Sequence, residues 1–141
     1  MGLDNGIILR CKNKIDLNKL PWFVDIELED YEFDTRKKQT NNYEITYFRK
    51  CWGIRGEICR LLHSPEDGGY SAVDSEDIPA IIRILEKYSE KNYWDENADS
   101  IWEFEDQIYN IRQTIKNLLW LKMYLEENKD NVSECVWYDS Y

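Results

Sequence analysis

Tyr43-Glu-Ile-Thr-Tyr-Phe-Arg-Lys-Cys-Trp-Gly-Ile-Arg-Gly-Glu-Ile-Cys-Arg-Leu-Leu62 changes its hydrophobic period halfway along. Its first residues alternate, with Tyr43, Ile45 and Tyr47 on one face, as a half-buried strand does. Gly53 lets the chain turn. Ile54, Ile58, Leu61 and Leu62 then recur at helical spacing. A strand is therefore expected to run straight into a short amphipathic helix. The junction carries Arg49, Lys50, Trp52 and Arg55, a knot of cations and aromatic surface in a chain of formal net charge −10.

Upstream, Gly6–Cys11 is short, apolar and β-branched, and reads as a strand buried on both faces. Asn13–Leu20 is polar and reads as a connector. Pro21-Trp22 opens a second strand in which Val24, Ile26 and Leu28 alternate with Asp25, Glu27 and Glu29. Thr35–Asn42 has no apolar period and reads as a loop.

Downstream, Pro65 and Gly68-Gly69 mark Ser64–Val73 as a loop. Asp74 can cap the next helix, with Asp77 three residues on and Pro79 in the first turn. Its core stripe is Ile78, Ile81, Ile82 and Leu85. Ser89–Asp99 reads as a wet spacer. Ser100-Ile-Trp-Glu103 is a capping box that opens the longest helix. There Ile101, Phe104, Ile108, Ile111, Ile115, Leu118 and Leu119 form the core stripe. After the polar break Asn128–Ser133, the segment Glu134–Asp139, with Cys135, Val136, Trp137 and Tyr138, suits a closing strand.

Strands first and helices after imply an α+β fold in one domain spanning 1–141. The expected architecture is a small, mostly antiparallel sheet of about four strands, packed on two or three helices including one long C-terminal helix.

Composition bounds the function. The chain has 141 residues, 43% of them hydrophobic, with ten Tyr, six Trp and four Phe. A chain of this length can bury a real core, and its aromatic content excludes a disordered one. Asp and Glu number 28 against 18 Lys and Arg, which repels nucleic acid over most of the surface and argues against a general DNA or RNA binder. Cys11, Cys51, Cys59 and Cys135 form no Cys-x-x-Cys pair. No leader-like segment and no apolar run of roughly 20 residues is present. The expected location is the cytoplasm of the host cell, with reduced thiols and no membrane association.

The chain resembles a family of small phage and prophage proteins that open Met-Gly-Leu-Asp, carry a Tyr-Trp-Arg-Lys motif before a short helix, and end aromatic-Ser-aromatic. Here the opening is Met1-Gly2-Leu3-Asp4, and the central motif reads Tyr47-Phe48-Arg49-Lys50, with Phe48 replacing Trp. Trp102-Glu103-Phe104-Glu105-Asp106 is similar to the family's Tyr-Glu-Asp segment, and Tyr138-Asp139-Ser140-Tyr141 closes the chain with one residue more than the usual spacing. The resemblance implies an accessory factor of a mobile element, acting inside a bacterial cell against host defence. It implies no activity.

Several groups of residues are candidates for a site. Arg49 and Arg55 can pair with phosphate or carboxylate, Lys50 adds charge, and Trp52 offers a stacking face. The same cations could instead pair internally with the chain's own acids. Asp25, Glu27, Glu29, Asp30, Glu32 and Asp34 place six carboxylates within ten residues. Alternate strand positions lie about 6.7 Å apart, near the phosphate spacing of one DNA strand, so Asp25, Glu27 and Glu29 could meet a basic groove. The bland alternative is a charged edge that prevents aggregation. Cys51, Cys59 and His63 could hold zinc, although no fourth ligand is evident by spacing and buried cysteines are commonly just small apolar groups. His63 is the only histidine, and no nucleophile motif accompanies it. Trp102, Tyr109, Lys116, Trp120 and Tyr124 form a second stripe on the long helix, expected to meet the Ile78–Leu85 helix, a second copy of the chain, or a partner.

The sequence thus favours a non-enzymatic binder with no metal or cofactor. In the preferred reading it sequesters a small anionic ligand, a nucleotide signal for example, at Arg49, Lys50, Trp52 and Arg55. In the alternative it presents Asp25, Glu27, Glu29 and Asp30 to a basic host protein, as an inhibitor or nucleic-acid mimic. A small hydrolase or metal enzyme is the weakest reading.

Overall fold

The structure is a computed structural model that describes residues 4–21, 24–27, 41–49, 52–64, 69–88 and 104–140. In chain order the elements are β1 (Asp4–Cys11), β2 (Asp25–Glu27), β3 (Asn41–Arg49), α1 (Trp52–Leu62), β4 (Gly69–Ala72), α2 (Ile78–Tyr88), α3 (Phe104–Glu127) and β5 (Val132–Ser140). The strands form one sheet in the order β2-β3-β1-β5-β4, and every neighbouring pair is antiparallel. The α+β arrangement is the one the sequence predicts, and α3, at 24 residues, is the longest of the described helices.

All three helices share one core with one face of the sheet. That core joins Ile7, Leu9, Ile45, Phe48 and Trp137 from the strands to Ile54 and Ile58 of α1, Ile78, Ile81 and Leu85 of α2, and Leu118 and Leu121 of α3. The predicted stripe of α2 is buried in full. Its start keeps half of a capping box, because the Asp74 N–H donates to Asp77 Oδ2 at 2.9 Å. Lys87 of α2 forms an ion pair with Glu57 of α1 and ties the two helices together. Burial alone would push the Glu57 carboxyl up, but the Lys87 ammonium outweighs it and holds the group below its ordinary value.

The structure corrects three expectations. The stretch read as a loop before Asp74 contains β4, an edge strand in which Gly69 takes a φ of 127°, a value open to glycine. The described part of the second strand is Asp25–Glu27; Leu28, Glu29 and Asp30 lie outside the described residues. Leu119 is exposed rather than in the core; Leu121 and Tyr124 are buried in its place. Finally, Tyr47 does not share a face with Tyr43 and Ile45.

The cause of that last difference is a β-bulge. Ile7 pairs with Thr46 and Ile8 with Glu44, so Ile45 is an extra residue in β3. Beyond it the alternation shifts by one. Phe48 turns inward, and Tyr47 turns to the face opposite the described helices. A bulge leaves backbone groups without ladder partners, and side chains take them here. The Ile7 N–H donates to Thr46 Oγ1 at 3.0 Å, and Asn117 Nδ2 of α3 donates to the Ile45 carbonyl at 3.1 Å. Gly6 lies beside this irregularity. A Cβ there would stand 2.1 Å from the Thr46 carbonyl oxygen, so no larger residue fits without moving backbone.

Candidate functional site

The corner where β3 gives way to α1 places Arg49 as the last residue of one element and Trp52 as the first of the next. The side chains of Arg49 and Trp52, and all of Lys50 and Cys51, lie outside the described residues. Arg55 is described, and it already faces a carboxylate. Its Nε donates to both oxygens of Asp139, at 3.0 and 3.1 Å, and its Nη2 donates to Asp139 Oδ2 at 2.7 Å. The Asp139 side chain is fully buried and that of Arg55 is 13% exposed. A charge so enclosed needs this kind of forked, hydrogen-bonded partner, since an unpaired one would cost several kcal/mol. Asn5 Nδ2 completes the carboxylate's shell from β1, at 3.4 Å. Arg55 and Asp139 thus pin α1 to β5, across the strand register that sets Asn5 opposite Asp139.

Cys59 sits one turn further along α1, half-buried, and its Sγ lies 3.8 Å from Asp139 Oδ2. Burial pushes this thiol above its ordinary value; the Trp137 indole opposes the shift, and the Asp139 charge adds to it. A thiol held protonated beside a carboxylate is a donor rather than a nucleophile. His63 is exposed and takes a φ of 54° at the end of α1. There the Ser64 N–H reaches the Cys59 carbonyl at 2.9 Å and the His63 N–H reaches the Arg60 carbonyl at 3.4 Å, which is a Schellman cap. Cys59 turns toward the buried Asp139 while His63 stands at the exposed cap. Among the described residues no group of three His, Cys, Asp or Glu could hold a metal ion.

The acidic strand lies at the edge of the sheet. The register sets Asp25 opposite Glu44 and Glu27 opposite Asn42. On α3, Trp102 and the side chain of Tyr109 lie outside the described residues. Trp120 is half-buried and stacks on Tyr124, with ring centroids 5.1 Å apart, so this part of the second stripe packs within the chain. Among the described residues, no helix is long and apolar enough to cross a membrane.

One surface was missed by the sequence reading. Gly6 stands opposite Tyr47 on one side and Tyr138 on the other, and Tyr138 stands opposite Tyr70. Tyr47, Tyr138 and Tyr70 therefore form a row across four strands, on the face opposite the described helices. Because Gly6 has no side chain, the Tyr138 ring leans across β1, its Cε1 3.2 Å from the place a Gly6 Cβ would take. Its hydroxyl donates to Glu44 Oε2 at 3.5 Å. The available signal was the alternation of Trp137 with Val136 and Tyr138, which fixes Tyr138 as outward.

No family model, no curated protein and no solved structure matches this chain.

Proposed function

We propose that this protein is a non-enzymatic accessory factor of a phage or related mobile element that captures a basic protein inside the host cell through an acidic sheet edge. The observation that carries this reading is the register of β2. Asp25 stands directly opposite Glu44 on an outermost strand. This register sets acidic residues side by side at the outer strand of the described sheet, where a partner of opposite charge is attracted. A chain of net charge −10 with such an edge attracts basic proteins and repels nucleic acid. Affinity capture from a bacterial lysate tests the reading, repeated at rising salt beside the variant Asp25→Asn, Glu27→Gln, Glu44→Gln. The native chain should hold basic proteins that salt releases and the variant does not retain. Equal retention by both chains at every salt concentration would contradict it.

The anionic-ligand reading ranks second. It is favoured by the corner itself, which brings Arg49 and Trp52 within three residues at the end of a strand and the start of a helix. It ranks lower because Arg55 is engaged by Asp139. Calorimetry with a panel of nucleotides tests it. Binding should be lost in Arg49→Ala, and an absence of heat with every nucleotide counts against it.

A further inference from the structure

Four large hydrophobic side chains are exposed among the described residues, and two of them, Leu119 at 55% and Met123 at 45%, stand one turn apart on α3. A single apolar residue on a surface helix is ordinary. These two sit at the centre of a row. Arg112, Lys116, Leu119, Met123 and Glu126 are all exposed and follow one another at steps of four, three, four and three, the spacing of a coiled-coil seam. The row runs about 21 Å along the helix, at about 1.5 Å per residue. It points away from the core, since Asn117, Leu118, Leu121 and Tyr124 bury the other side of α3.

Charge along the row is divided. The two residues ahead of Leu119 are cations, and the one after Met123 is an acid, followed by Glu127 and Asp130, also exposed. Among the described residues no ion pair engages Arg112 or Lys116. Glu126 is paired with Lys122 on its own helix, an exposed contact that contributes little and can be shared. A cationic end, an apolar centre and an acidic end are complementary to the same row turned end for end. With a two-fold axis midway between Leu119 and Met123, Leu119 of one copy meets Met123 of the other, Lys116 meets Glu126, and Arg112 falls level with Asp130. A parallel pairing would set each charge against its own kind. Methionine adapts to the facing leucine, and the lysine and arginine stems continue the apolar strip while their heads stay in water. We infer that the outward face of α3 is a dimer interface, along which two copies of this chain pair antiparallel, each presenting the same row to the other. The apolar centre is small and each copy carries a net charge of −10, so the dimer is weak and forms at high protein concentration. This face shares no residue with the acidic edge, and its failure would leave the capture of a basic protein standing.

Sedimentation equilibrium over a range of protein concentrations tests it. The native chain should pass from monomer to dimer as concentration rises. Lys116→Glu alone and Glu126→Lys alone should each weaken the dimer about tenfold, because two symmetry-related pairs turn repulsive. An equal mixture of these two variants should recover the dimer, since each then presents the charge that the other lacks. Leu119→Ser together with Met123→Ser should abolish it. All four side chains are exposed, and near-UV circular dichroism of the stacked Trp120 and Tyr124 reports that each variant is folded. A native chain that stays monomeric at every concentration would overturn the inference, as would a dimer that survives the double serine variant. A dimer lost in that variant but indifferent to both charge reversals would overturn the antiparallel register.

Discussion

On the helix-covered face of the sheet, Ile7, Leu9, Ile45, Phe48 and Trp137 are almost wholly buried, and the one carboxylate found there, Asp139, is enclosed by Arg55, Asn5 and Cys59. On the opposite face Tyr47 of β3 and Tyr70 of β4 are exposed, and the register sets Asp25 opposite Glu44. The covered face satisfies each charge it encloses, as stability demands. On the other face the contacts are at the surface: the Tyr138 hydroxyl donates to Glu44 and Arg10 pairs with Glu134. A single extra residue at Ile45 assigns Tyr47 to one side and Phe48 to the other. The contrast therefore turns on one bulge and on the Arg55–Asp139 pair.

The largest effects should come from the covered face. Asp139→Ala leaves Arg55 enclosed without its carboxylate and should cost about 3–5 kcal/mol in urea unfolding. Trp137→Ala, which empties a fully buried site, should cost a similar amount. If Asp139→Ala proves nearly neutral, the pair does not anchor β5 and the contrast fails on that side.

The bulge comes next. Asn117→Ala orphans the Ile45 carbonyl and should cost about 1–3 kcal/mol. Gly6→Ala forces the Thr46 carbonyl aside and should cost about as much. It should also displace the Tyr138 ring, visible as a change in near-UV circular dichroism.

The covered face also predicts a response to alkali. Burial pushes the Cys11 thiol up to about 11 and the Cys135 thiol up to about 12, from an ordinary value of 9.0. These groups keep their protons in the folded chain after the unfolded chain has lost them. The stability they contribute is complete below about pH 9 and is lost as pH rises from there toward 11–12. The urea midpoint should fall across that window, and less so in Cys135→Ala than in the native chain relative to each one's own value at pH 8.

The smallest effect on stability belongs to the open face. Tyr47→Ala and Tyr70→Ala should each cost about 1 kcal/mol or less, because both rings are exposed. A loss of several kcal/mol would show that these rings serve the fold.

The sequence makes the helices legible because their stripes are local. Ile78, Ile81, Ile82 and Leu85 report one face of α2 with no need of the rest of the chain, and all four are buried. Alternation in Glu134–Asp139 likewise places Cys135 and Trp137 inward. The bulge is not legible, since Ile45 and Thr46 both suit either side of a strand and only pairing with β1 reveals the slip. The strand β4 is hidden because Tyr70, Ser71 and Ala72 are too few to show a period beside two glycines. The clasp on Arg55 comes from Asp139, 84 residues away, and no local spacing announces it. What the sequence does offer is an acid in step with Cys135 and Trp137, a buried position that demands a cation.

Nuclear magnetic resonance of the backbone amides, with a basic peptide added stepwise, tests the role of the acidic edge most directly. Shifts should gather at Asp25, Glu27, Asn42 and Glu44 and leave Ile58, Leu85 and Leu121 in place. Shifts confined to Trp52, Arg55 and Cys59 would move the working surface to the strand–helix corner and contradict the account.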